Sequence, residues 1–172
     1  MSGVINLWDK NYKGSMYVEQ KAREFVIPYY TNIYGDKFVD LYKDKKSWED
    51  DIDFILDWKT VEMKAFTKVY WWRFLFELKK GVYKKWEIEW NFITSKADYW
   101  LIVDNTDKKW RWFNLNELRK VILNAMKDNN LKDLWNITKR EEIDRPQCYK
   151  KVILFDIDYI LKHTNNQIVY FI

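Results

Sequence analysis

Residues 49–66 read EDDIDFILDWKTVEMKAF, two short apolar runs separated by Asp57, Trp58 and Lys59. The pattern commits this stretch to a β-hairpin, since neither run is long enough for a helix and the break between them is tight. Successive side chains leave a strand on opposite faces, so Asp51 and Asp53 share one face, as do Glu62 and Lys64. The turn decides which residues meet. A two-residue turn at Trp58-Lys59 sets Asp53 opposite Lys64, whereas a turn at Asp57-Trp58 sets Asp53 opposite Glu62. Either register gathers Asp53, Glu62 and Lys64 on one surface. Two carboxylates and an ammonium on the wall of a groove can hold Mg²⁺ and polarise a water. The competing reading is an ion pair on a solvated face, worth under about 1 kcal/mol.

What the chain lacks narrows the chemistry. His163 is the only histidine and Cys148 the only cysteine. Two-histidine and Cys/His metal sites and an internal disulfide are therefore excluded. A Ser-His-Asp relay would have to run through His163, whose setting in LKHTNN reads as a helix C-terminal cap. The glycines, Gly3, Gly14, Gly35 and Gly81, are too scattered for a phosphate-cradling loop or a dinucleotide-binding turn. Carboxylates and lysines remain as the abundant reactive groups. The net charge of +4 arises wholly from residues 105–172, with 13 Lys/Arg against 9 Asp/Glu, since residues 1–104 hold 17 of each. That excess suits a phosphate-facing surface, and solvated lysines would give the same count.

At 172 residues, without internal repeat or linker, one domain over 1–172 is expected. No apolar run is long enough for a membrane helix. The first residues carry no basic-then-apolar leader pattern, so an intracellular, cytoplasmic protein without a membrane partner is expected. A helix is predicted over 15–34, opening at Ser15, with Val18, Ala22, Phe25, Val26 and Tyr29 at helical spacing, kinked or divided at Pro28 and ended by Gly35. Strands are predicted at Lys37–Tyr42, Ile52–Leu56, Val61–Phe66 and Val69–Leu78, the last apolar on both faces and so central. Lys79-Lys80-Gly81 reads as a turn into Tyr83–Ile93, followed by strands at Tyr99–Val103 and Trp110–Phe113. Asn114 with Glu117 resembles a capping box opening a helix that carries Leu115, Leu118, Ile122, Ala125 and Met126. A short helix at Leu131–Ile137, strands at Tyr149–Phe155 and Gln167–Ile172, and a brief helix at Tyr159–His163 complete the pattern. The class expected is α/β or α+β, a central mixed sheet flanked by helices.

The ordered elements Glu19, IPYY (Ile27 to Tyr30), DID (Asp51 to Asp53), EMKA (Glu62 to Ala65), FLFEL (Phe74 to Leu78) and ADYW (Ala97 to Trp100) together resemble the PD-(D/E)xK, or restriction-endonuclease-like, nuclease superfamily. The likeness is nearest to its small phage and mobile-element members. It covers residues 15–104 and leaves 105–172 unplaced. In one departure, Glu49 and Asp51 stand where relatives usually carry Gln and Gly.

The resemblance implies a metal-dependent endonuclease acting on DNA, of the structure-specific kind. Asp53 and Glu62 would hold Mg²⁺ or Mn²⁺, with the backbone carbonyl of Met63 or Ala65 nearby. Lys64 would orient the attacking water or offset charge on the phosphate, and Glu19 would reach the site from the first helix. Glu77 is either metal-proximal or half of a buried pair with Arg73. Lys79, Lys80, Lys84 and Lys85, and also Lys108, Lys109 and Arg111, are candidate phosphate contacts, with solvated lysines the alternative. Trp71, Trp72 and the other aromatics read mainly as core, with base stacking the alternative. Nucleases of this fold often act as homodimers because two strands need two sites. The alternatives to an enzyme are a catalytically inactive nucleic-acid- or partner-binding protein of the same fold, and a structural or inhibitory phage protein.

Overall fold

The computed structural model describes residues 7–66, 73–82, 86–89, 91–127, 137–145 and 148–170. The first helix, α1 (Leu7–Tyr34), starts well before Ser15 and runs through Pro28 unbroken. A proline inside a helix removes one N–H and crowds the preceding turn. Here it is exposed, while Ala22, Val26 and Tyr30 on the opposite side are buried and hold the helix to the sheet. Gly35, at φ 52°, follows the helix in the left-handed conformation that commonly ends one.

Then come β1 (Phe38–Asp40), α2 (Lys45–Glu49), β2 (Phe54–Leu56), β3 (Lys59–Phe66), β4 (Arg73–Val82), β5 (Trp86–Glu89), β6 (Tyr99–Asp104) and β7 (Lys109–Asn114). The chain continues through α3 (Leu115–Ala125), β8 (Ile137–Arg145), β9 (Cys148–Asp156), α4 (Ile157–His163) and β10 (Asn166–Tyr170). A six-stranded sheet has the order β1-β2-β3-β6-β7-β10 and a four-stranded sheet the order β5-β4-β9-β8. Among the described residues only β3 and β6 pair in parallel, which makes the larger sheet mixed and the class α+β.

Burial in β6 explains the layering. Trp100 to Val103 are all buried, as expected of a strand covered on both faces. Leu101 and Val103 pack with Val61 and Met63 toward α1. Trp100 and Ile102 pack with Phe76, Phe92, Leu118, Ile122, Phe155 and Ile160 on the other face. The side chain of Asn114 accepts the Glu117 N–H at 3.0 Å and so caps α3 as the sequence suggests. Glu117 does not return the bond in box fashion. Its Oε1 instead accepts the N–H and side-chain amide of Asn165.

Other expectations change as well. Lys79-Lys80-Gly81 is not a turn but part of β4, which pairs with β5 on one side and β9 on the other. Ladder partners on both sides outweigh the local turn propensity of a lone glycine. The irregularity instead lies between Glu77 and Lys79, where the register with β9 shifts. β4 is interior, as expected of an apolar strand, but in the smaller sheet, and residues 69–72 lie outside those described. Strand β8 (ITKREEIDR) was not anticipated, because its charges hide any apolar alternation. Such a composition suits its position at a sheet edge. Of the expected helix at Leu131–Ile137, residues 131–136 lie outside those described and Ile137 opens β8.

The hairpin turn falls at Asp57-Trp58, with Leu56 paired to Lys59 and Phe54 to Val61. Both turn residues have positive φ, 46° and 69°, and Trp58 is 91% exposed. Turns of this geometry favour glycine at the second position. Trp58→Gly should therefore stabilise the fold by about 0.5–1 kcal/mol, because little packing is lost. Urea unfolding checks this: the midpoint should rise with unchanged slope, and a fall would mean that the indole packs against something in solution.

Candidate active site

The candidate site forms where β2 parts from β3. The observed register, continued one step past Phe54, sets Asp53 opposite Glu62 and so selects the second of the two registers. Beyond that point Met63 has no β2 carbonyl to meet. Its N–H is taken by Asp53 Oδ2 at 2.6 Å, while the Asp53 N–H bonds the Val61 carbonyl at 2.8 Å. The carboxylate thus stands in for a missing strand residue and lies at the sheet edge. The preceding loop is pinned from the far side. Ser95 Oγ donates to the Asp51 carbonyl at 3.2 Å, the Lys96 N–H to the Asp50 carbonyl at 2.9 Å, and Lys96 Nζ pairs with Asp50.

Glu62 is 3% exposed. Its Oε2 accepts the Trp100 indole N–H at 2.6 Å and its Oε1 pairs with the Lys64 ammonium. Parallel pairing makes this possible, since Glu62 and Trp100 are register partners across β3 and β6. The Trp100 ring stacks on Phe76 at 5.8 Å, and Lys64 Nζ lies 5.5 Å from its centroid, in cation–π range. From α1 come Glu19 and, one turn on, Arg23, which pairs with Asp40.

Glu19, Asp51, Asp53, Glu62 and Lys64 line one cleft of about 580 Å³, with Met16, Tyr42 and Lys43 at other points on its wall. A larger groove of about 820 Å³ lies among Tyr29, Tyr34, Tyr99 and Trp112. Among the described residues Glu117 is the only carboxylate lining it, so no paired-acid arrangement is seen there.

Four carboxyls of the cleft hold their protons more tightly than usual. Burial is the first cause for Glu19, Asp51, Asp53 and Glu62 alike, and it pushes Glu62 up to about 7. Neighbouring carboxylates add to the effect: Asp53 acts on Glu19 and Asp51 on Glu62. For Lys64, burial works against the charged form, but Glu62, Asp53 and Glu77 more than offset it and the ammonium is strengthened.

Among the described residues, no three His, Cys, Asp or Glu side chains draw together closely enough to enclose a metal unaided. Mg²⁺ does not need such a cage, because it keeps several waters and uses one or two carboxylates plus substrate phosphate. Asp53 and Glu62 fit that requirement. Each carboxylate keeps acceptor capacity beyond the bonds just described, and a cation would relieve the charge that burial makes costly.

Of the residues singled out from sequence, Asp53, Glu62, Lys64 and Glu19 meet in this cleft. Glu77, on β4, is near enough for its charge to act on Lys64 and Asp51. The Arg73 side chain lies outside what is described, so the expected Arg73–Glu77 pair does too. Lys79 and Lys80 lie in β4 of the four-stranded sheet, whereas Glu62 and Lys64 lie in β3 of the six-stranded one, and Lys84 and Lys85 lie outside the described residues. Trp71 and Trp72 are likewise outside them. Lys108 sits in the β6–β7 turn, Lys109 pairs with Asp107, and Arg111 is a half-buried residue of β7. His163 ends α4, its Nδ1 2.7 Å from the Tyr159 carbonyl, as a capping role requires. The sequence reading missed Arg23, although its spacing of four from Glu19 was visible. It also missed the bond from Trp100 to Glu62, for which parallel pairing left no local signal.

No family model, characterised protein or solved structure matches the chain. Among the described residues, no helix is long and apolar enough to cross a membrane.

The raised Glu62 carboxyl has a consequence for stability. A group that binds its proton more tightly when folded makes the fold weaker as pH rises from its ordinary value of 4.5 to about 7. Between pH 5 and 8 the wild type should lose on the order of 2 kcal/mol from this source, and Glu62→Gln should lose less. Urea midpoints at both pH values decide it; equal slopes in the two proteins would mean that Glu62 is ordinarily acidic.

Proposed function

We propose that the protein is a metal-dependent DNA endonuclease that hydrolyses phosphodiester bonds and belongs among the PD-(D/E)xK nucleases. The observation that carries this reading is the convergence of Asp53, Glu62, Lys64 and Glu19 on one cleft, in the hairpin arrangement that the superfamily resemblance implies. A second observation supports it. Asp51, where relatives carry glycine, has φ 54°, a conformation glycine adopts freely.

Asp53 and Glu62 are the residues that would hold Mg²⁺ or Mn²⁺. When bound, the cation supplies a more acidic water and neutralises phosphate charge. The chain's own residues do the rest. Trp100 and Lys64 fix the Glu62 carboxylate from both oxygens, so it presents a rigid edge to the cleft. The Lys64 ammonium stays charged and can donate to the attacking water or to a phosphate oxygen gathering charge in the transition state. Glu19, harder to ionise than an ordinary glutamate, can accept or hold a proton in the cleft. The substrate class is DNA, of branched or otherwise structured form. A homodimer would place two clefts on two strands.

One observation favours a second reading, binding without hydrolysis: both Glu62 oxygens already have partners within the protein. Incubation with supercoiled, branched and single-stranded DNA in Mg²⁺ separates the two. The endonuclease reading expects cleavage that chelator abolishes and that falls at least 100-fold in Lys64→Ala and Asp53→Asn, with both variants folded. DNA bound but uncut in Mg²⁺ and Mn²⁺, with affinity unchanged by chelator, would establish the second.

A further inference from the structure

Arg23 is a charged side chain that the fold buries and then leaves incompletely satisfied. It is 8% exposed. Its Nη2 is committed to Asp40 of β1, and its guanidinium lies 4.4 Å from the Tyr42 ring centroid. The other arm, Nη1, is buried and makes no hydrogen bond. Nη1 lies 3.8 Å from Asp53 Oδ1 and 4.0 Å from Glu19 Oε1, ion pairs beyond hydrogen-bond reach. A buried donor on a charged group is costly to leave without an acceptor. Asp40 and Tyr42 therefore hold an unfilled donor beside Glu19 and Asp53, which line the cleft although Arg23 itself does not, so a ligand reaches Nη1 by parting those two carboxylates.

We propose that Arg23 is a phosphodiester-binding residue, whose Nη1 takes a non-bridging oxygen of a nucleic-acid phosphate seated in the cleft. The identity of the ligand rests on the nuclease reading above. Guanidinium donors match phosphate oxygens in geometry and charge. A phosphodiester brings two such oxygens, so one remains for Arg23 when the other meets a cation. Lys43 and Lys64, which do line the cleft, add positive charge for an anionic ligand. The bland alternative is a structural clamp tying α1 to β1, with water on Nη1.

A dinucleotide with a single phosphodiester, thymidylyl-thymidine, discriminates between the two. The full chain is titrated with it by NMR in Ca²⁺, alongside the analogue in which methylphosphonate replaces the phosphate and removes its charge. The Arg23 side-chain resonance should move with the phosphodiester and not with the analogue. Arg23→Gln should weaken binding of the phosphodiester about 5- to 10-fold, and the analogue should bind wild type and variant alike, because the two changes delete one contact. Arg23→Lys, which keeps a charge beside Asp40, should lose less and serves if the Gln variant fails to fold. An unmoved resonance, no binding by the wild type, or additive losses would overturn the proposal. Cleavage in Mg²⁺ is scored separately. A protein that cuts DNA without this coupling retains the nuclease reading and loses the Arg23 contact. Coupling without cutting retains a phosphodiester-binding cleft and loses the nuclease.

Discussion

The cleft depends on one hydrogen bond, from the Met63 N–H to Asp53 Oδ2. A sheet edge that loses its neighbouring strand exposes backbone donors, which must find water or another acceptor. By supplying the acceptor from a side chain, the protein ends the β2–β3 ladder without leaving Met63 unpaired, and it fixes a carboxylate where the strands diverge. The gap lets residues from opposite sheet faces meet. Glu62 shares its face with Trp100, while Glu19 and Arg23 descend from α1 on the other side.

Much of this was legible beforehand. The hairpin, its two possible registers, the α3 cap and the core stripe of α1 follow from period, turn chemistry and capping, all local properties. The choice of register was less accessible. It required Asp57 and Trp58 both to take positive φ, which a tryptophan rarely does. Pairings formed by distant segments were invisible. Nothing near Lys79-Lys80-Gly81 announces that β9, some 70 residues later, will hold it in a strand. Nor does anything near Glu62 announce Trp100. The charges of β8 concealed a strand because an edge needs no apolar alternation on its solvated side.

Electrostatically, the site is balanced against burial. Glu19, Asp51, Asp53 and Glu62 crowd around Lys64 and Arg23, and the acids outnumber the two cations set among them. In a partly dry cleft burial raises every one of these carboxyls, and the cations offset it only in part. A protein selected for stability alone would have little reason to gather them, whereas one that receives a cation and an anionic ligand would.

The Trp100 ring belongs to two systems at once. Its N–H grips Glu62, while the ring stacks on Phe76 and meets Phe92 in a T-shaped contact. The acidity of a charged group at the cleft is thus mechanically tied to hydrocarbon packing in a different sheet. Substitutions among uncharged interior residues of β4 can retune that carboxylate without altering any residue of the cleft, which gives mutation a quiet route for adjusting this chemistry from a distance.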